Sequence, residues 1–367
     1  MKNRVTFFLT ALAMVSLLLG SAQAGASRTA APASVAPAST LTQAQIEAKI
    51  EPMLLNQLRS NSNGDTRYMV YLSERADTTN DISPLQWKQK GDYVYNKLRE
   101  VANRTQPAVR AQFASLAANG KVSKVESFYI VNGFYVEGKA ETAYTLAARP
   151  DVASLKAVRT YHITDQANTT QSAPQTAPLA ATTVLTSYGI TQIHADQVWA
   201  QGYLGQGVTI GDIDTGVQYD HPAIQPHWRG TYVLPGMNYN WYDAVNHQPV
   251  AYDDNSHGTH TAGTTVGLDA AGQNVIGVAP QATLIACKGL DNGALGGDVN
   301  ELLHCAEWML APSDVNGNDP RPELRPNVIN NSWGGSDGSD DGFEYPILQW
   351  INAGIFPSFA NGNAGPG

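Results

Sequence analysis

Residues 67–72, Arg-Tyr-Met-Val-Tyr-Leu, alternate polar and apolar positions and are rich in β-formers, which predicts a strand. From 84 to 118 the apolar positions fall at helical spacing: Trp87, Val94, Leu98 and Val101, then Val109, Phe113 and Leu116, with Asn119-Gly120 as the stop. Residues 121–130 and 132–137 read as strands joined at Asn132-Gly133. A short helix follows at 141–148, and a last strand at 152–161. The order β-α-β-β-α-β is that of the ferredoxin-like split unit, a small α+β domain. A weaker helical pattern covers 41–58 ahead of it.

From about residue 183 the pattern becomes apolar strands alternating with helices. Strands are expected at 207–214, 283–289, 328–334 and 355–360, and helices at 298–310 and 345–353. This predicts an α/β fold, a doubly wound and mostly parallel sheet covered on both faces. Functional residues in such sheets gather at the carboxyl ends of the strands, where Asp214, Ser332 and Asn363 fall. Gly205-Gln206-Gly207 precedes its strand, and Ile210 stands where a third glycine belongs, so no dinucleotide loop is read here.

The ends of these segments differ in composition. Residues 1–24 read as a signal peptide: Lys2 and Arg4, an apolar run over 5–19, and Ala22-Gln23-Ala24 as the cleavage site. That run is too short for a comfortable membrane span, and no Cys follows it for a lipid anchor. The expectation is therefore an exported protein with no stable membrane anchor. Residues 25–64 are expected to be a linker with a short helix, and 166–182, rich in Gln, Thr, Ser, Ala and Pro, a second linker and processing site. Residues 183–367 hold 19 acidic and 4 basic residues, a balance of −15, while 1–182 hold 13 and 19, a balance of +6. The two halves should attract each other. The basic residues form no run with interleaved aromatics, which speaks against nucleic acid.

His257 opens the run His-Gly-Thr-His-Thr-Ala-Gly, after the polar lead Asp253-Asp254-Asn255-Ser256. Such a lead starts helices, so His257 is placed in a first turn, facing out of a loop, with small residues packed behind it. There an imidazole can serve as a general base. Asp214, within Asp-Thr-Gly-Val, can orient it, and Asn363, within Gly-Asn-Ala-Gly, can bind an oxyanion. The order Asp, His, Asn across three motifs is the specific signal. A metal cluster of Asp253, Asp254, His257 and His260 is disfavoured, because no Glu lies between the histidines and their spacing is three. No metal site is assigned. Trp199, Trp228, Trp241 and Trp350 read as packing residues.

These motifs, with Asn-Asn-Ser-Trp-Gly-Gly from Asn330, resemble the subtilisin-like serine proteases, the subtilases, over 183–367. Residues 307–312 and 356–357 resemble the bacillopeptidase F-like branch. Asn-Gly-Phe-Tyr-Val from Asn132 and Pro-Asp-Val-Ala-Ser-Leu from Pro150 resemble the family's inhibitory propeptide, assigned to 65–165. The resemblance implies a serine endopeptidase acting on polypeptides, with an intramolecular propeptide as partner. Ser332, Trp333, Gly334, Ala360, Asn361 and Gly362 would flank the pocket for the residue before the cut bond. Gly293 to Gly297 would present an edge strand to substrate. The family's nucleophilic Ser, in a Gly-Thr-Ser-Met-Ala-like motif, occurs nowhere in these 367 residues. The chain itself is therefore expected to be inactive, as a truncated form or fragment. The alternative is a non-catalytic binding protein on a protease scaffold. After His221-Pro222 the family often has a calcium-binding Asp, but Ala223 stands here, so that calcium site is expected to be lost; calcium elsewhere stays open and no other cofactor is assigned.

Cys287 and Cys305 are the two cysteines, 18 positions apart on an expected strand and the following helix. Buried free thiols are one reading. Export to an oxidising compartment favours a disulfide.

Overall fold

The structure is a computed structural model describing residues 41–80, 82–163, 185–269, 272, 274–291, 296–335 and 341–363. The expected signal peptide, the linker at 166–182 and Gly293 lie outside the described residues.

The N-terminal unit contains α1 (Gln43–Glu47), α2 (Pro52–Ser60), β1 (Asp65–Leu72), α3 (Trp87–Ala118), β2 (Val122–Phe128), β3 (Gly133–Lys139), α4 (Ala140–Ala147) and β4 (Val152–Ala157). The single helix expected over 41–58 is two, because Pro52 starts a second one. β1 to β4 form an antiparallel sheet in the order β2-β3-β1-β4. Asn132 takes the left-handed conformation at the β2–β3 turn, with φ of 45°. Tyr68, Val70 and Leu72 point to one side of β1, into a core with Leu54, Leu58, Val109, Phe113 and Leu146. Residues 41–60 therefore pack as part of this unit. Met69 and Tyr71 point to the other side, into a second core shared with the C-terminal half.

The strand expected over 152–161 breaks after β4. Its continuation, β5 (Thr160–Ile163), leaves the small sheet and joins the C-terminal half.

The C-terminal half runs through β6 (Leu185–Thr186), α5 (Tyr188–Gln192), α6 (Ala195–Trp199), β7 (Thr209–Asp214), α7 (Arg229–Tyr232), β8 (Trp241–Asp243), α8 (His257–Val266), β9 (Asn274–Val275), β10 (Thr283–Lys288) and β11 (Gly296–Asp298). It continues with α9 (Val299–Leu310), a 3-10 turn at Pro322–Leu324, β12 (Val328–Asn331), β13 (Trp333–Gly334), α10 (Glu344–Asn352) and β14 (Phe356–Phe359). Five strands form a parallel sheet in the order β14-β12-β7-β10-β8. The strand expected over 328–334 divides, since β13 turns out of this sheet into another.

Side-chain alternation along the strands separates two faces. Ile210, Leu284 and Ala286 pack with Ala262 and Val266 of α8. Ile213, Ile285, Cys287 and Ile329 pack with Leu302, Cys305 and Ala306 of α9. Cys287 and Cys305 form a disulfide with a Cα–Cα distance of 5.7 Å, tying β10 to the helix on that face. Trp228, Trp241 and Trp350 are core residues.

Candidate active site

Asp212 and Asp214 lie two positions apart on β7 and so share the face that α8 covers. Asp214 ends the strand, and His257 begins α8. Nδ1 of His257 lies 2.7 Å from Oδ1 of Asp214, with both residues buried. His257 thus occupies the first turn as expected, but at 8% exposure it is buried rather than facing outward. Asp214 Oδ1 also accepts the Thr215 N–H at 2.7 Å.

The approach of α8 to this loop depends on glycine. A Cβ on Gly258 would stand 2.0 Å from the Gly216 carbonyl oxygen, and one on Gly216, whose φ is 113°, would stand 2.1 Å from the Tyr252 carbonyl oxygen. Asp253 fixes the turn before the helix. Its carboxylate accepts the N–H groups of Asn255, Ser256 and Thr259 and the hydroxyls of Thr215 and Thr259. Burial raises the Asp253 carboxyl, but these donors outweigh it and hold it below the usual range. Asp254 pairs with the fully buried Lys288 at 2.7 Å. These bonds fix the acidic lead before His257. Among the described residues no group of three or more His, Cys, Asp or Glu is arranged to hold one.

The remaining candidates sit around a three-stranded sheet of order β11-β5-β13. β5, from the N-terminal unit, is its central strand and runs antiparallel to both neighbours. Gly297 pairs with Tyr161, Gly296 and Gly334 with His162, and Trp333 with Ile163. The Gly297 edge is therefore a strand edge with an extended segment on it. Trp333 is buried, its indole edge-on to Tyr161, Phe343 and Phe359 at 5.2–5.5 Å, so it packs beneath the inserted strand. Ser332 stands between β12 and β13, and its Oγ accepts from Asn330 at 3.0 Å. Ala360, Asn361, Gly362 and Asn363 follow β14 and are exposed. Ala223 follows His221, whose Nδ1 accepts the Ala223 N–H at 3.2 Å.

Three further contacts hold the N-terminal unit against this half. Glu307 of α9 accepts the N–H groups of Tyr129 and Ile130, the latter at 2.9 Å. His304 Nε2 lies 3.2 Å from a Glu126 carboxylate oxygen. Arg325 stacks on Trp87 at 3.7 Å from the ring centre and donates to the Trp87 carbonyl oxygen. Arg67–Asp298 and Lys156–Asp341 add pairs of the polarity the charge balance implied. The backbone N–H donors to Glu307 and the Trp87 stack were not visible in the sequence, since they depend on which surfaces meet.

Residues 205–367 match the model of the Subtilase family. Bacillopeptidase F of Bacillus subtilis is 36% identical over 279 residues, covering 75% of this chain and 19% of that protein. Subtilisin DY of Bacillus licheniformis is 36% identical over 178 residues, covering 48% of this chain and 55% of that protein. The chain thus spans about a fifth of one relative and about half of the other. The crystal structure of fervidolysin from Fervidobacterium pennivorans, a keratinolytic enzyme related to subtilisin, aligns with 83% of this chain and 41% of its own at 17% identity and a TM-score of 0.48. With the parallel sheet and the Asp-Thr-Gly, His-Gly-Thr-His and Asn-Asn-Ser-Trp-Gly-Gly motifs all inside the matched span, the chain belongs to the subtilase family through residues 205–367.

Proposed function

We propose that the chain is part of a secreted serine endopeptidase precursor, in which residues 41–163 are an inhibitory propeptide. The observation that carries this reading is β5, an extended segment held antiparallel between β11 and β13. That is how an enzyme of this kind would grip a polypeptide, by adding it as a strand. A segment held there excludes substrate until it is cut and leaves.

In this reading Asp214 fixes the imidazole through Nδ1 and stabilises its charge. Nε2 of His257 takes the proton of the family's nucleophilic serine, whose motif does not occur in these 367 residues. Asn363 donates to the oxyanion of the tetrahedral intermediate, and His257 then returns the proton to the leaving amine. Trp333 and the 360–362 segment line the pocket beside the cut bond. In this reading residues 1–367, which hold no Gly-Thr-Ser-Met-Ala-like segment, are inactive by themselves.

The test is a complete protease containing these residues. His257→Ala should lower kcat/KM by at least ~10²-fold and abolish processing within 164–184. Normal self-processing by that variant would overturn the assignment.

A further inference from the structure

Behind the Asp214–His257 pair lies a second carboxyl. Asp212 is 1% exposed and faces the same way as Asp214. Its Oδ1 accepts from Asn330 Nδ2 at 2.8 Å. Its Oδ2 lies 3.4 Å from Thr261 Oγ1.

Thr261 has one hydroxyl hydrogen and three oxygens around it: Gly258 O at 3.0 Å, Asp214 Oδ2 at 3.3 Å and Asp212 Oδ2 at 3.4 Å. One hydrogen cannot serve three acceptors. A carbonyl cannot donate. Asp214 meets two partners at 2.7 Å through its other oxygen, the His257 Nδ1 and the Thr215 N–H. Asp212 Oδ1 accepts a single donor, Asn330, so Asp212 is the carboxyl placed to carry a proton, reverse its bond and donate to Thr261. The Thr261 hydrogen then has Gly258 O and Asp214 Oδ2 as its acceptors.

We propose that Asp212 is a positioning residue that donates a hydrogen bond to Thr261 and, through that hydroxyl, holds Asp214 in the orientation that grips His257. This rests on the assignment of Asp214 and His257 given above. The charged and titratable groups facing Asp212 are Asp214 on its own strand, His257 on α8 and Asp253 on the preceding loop. Burial and then the charge of Asp214 push the Asp212 carboxyl well above the usual carboxylate range, with Asn330 pulling the other way. A buried acid with no function would be an unfavourable choice for a strand interior.

The test needs no nucleophile and uses the full chain. Carbon-13-labelled Asp carboxyls and nitrogen-15-labelled His rings are titrated by NMR in wild type, Asp212→Asn, Asp212→Leu, Thr261→Val and the Asp212→Leu/Thr261→Val double variant. Asp212 should remain protonated through neutral pH. Asp212→Asn keeps a neutral donor and should move the His257 titration by less than ~0.3 pH unit. Asp212→Leu should move it by about 0.5 unit or more alone, and by less than ~0.2 unit in the Thr261→Val background. An Asp212 that titrates near 4 overturns the proposal. So does an Asp212→Asn shift as large as that of Asp212→Leu, or an Asp212→Leu shift that persists without Thr261. If Asp212→Leu fails to fold, the wild-type Asp212 titration and the Asp212→Asn arm still decide. Failure of the protease reading would appear separately, as activity retained by His257→Ala in the complete enzyme.

Discussion

A carboxylate oxygen of Glu307 accepts the backbone N–H of Ile130 at 2.9 Å, across the boundary between the two halves of the chain. Burial lifts this carboxyl up to about 7, against the N–H donors of Ile130 and Tyr129. Once the N-terminal unit leaves, the carboxyl returns to water and its ordinary value of 4.5. The bound state therefore holds more protons between those values, and affinity should fall as pH rises from about 4.5 to 7.

Glu126 has the opposite sign. Burial raises it, but His304 and Lys124 overcome burial and hold it down to about 2. Its contribution is present above its ordinary value of 4.5 and is lost as pH falls towards 2. Binding should therefore be tightest near pH 4.5. With a cleavable site placed in 164–184, dissociation of the cut unit can be followed across pH. Glu307→Gln should flatten the neutral limb, and an unchanged limb would exclude Glu307 as its source.

Trp87→Ala should weaken retention of the cut N-terminal unit by at least ~10-fold, because it removes a buried stack on Arg325 and the indole bond to the Gly354 carbonyl at 3.1 Å. The guanidinium's other partners are the carbonyls of Pro322 and Ala353. Since the direct hydrogen-bond partners are neutral carbonyls, with Asp92 and Glu323 acting only at longer range, this loss should depend less on salt than an exposed ion pair does. Retention through Arg67–Asp298 and Lys156–Asp341, which reach solvent, should decline as salt rises. Surface binding at several salt concentrations separates the two behaviours.

Gly258→Ala should destabilise the fold by about 1–3 kcal/mol and displace His257 from Asp214, because the added methyl meets the Gly216 carbonyl. Denaturant melts and the His257 ring resonances would report both effects. A folded variant with wild-type ring shifts would contradict the tight approach.

Replacing Cys287 and Cys305 by Ser should cost about 3 kcal/mol, the loop entropy for 18 residues of separation, together with the burial of two hydroxyls in an apolar layer. Urea unfolding of the oxidised, reduced and doubly substituted chain would measure it.

Residues 1–367 should not react with a fluorophosphonate probe, because they hold no Gly-Thr-Ser-Met-Ala-like segment. Stoichiometric labelling would show that another serine has taken the role.

Periodicity by itself determined most elements of both halves. Alternation over 67–72 and helical spacing over 87–118 are local properties, written in neighbouring residues and read without knowing what they pack against. The motifs around Asp214 and His257 were legible for the same reason, as was the strand–helix placement of Cys287 and Cys305. What tertiary structure decided is where surfaces meet. A run read as one strand over 152–161 became β4 and β5, because unpaired edges at Gly296–Asp298 and Trp333–Gly334 supply hydrogen bonds that the small sheet does not. Trp87 looked like an ordinary helix-start aromatic until Arg325, 238 positions away, stacked on it. Asp212 belongs to no motif singled out in the sequence. Only the packing of α8 on β7 shows that it shares Thr261 with Asp214, since a strand's sequence fixes which side a residue faces but not what waits there.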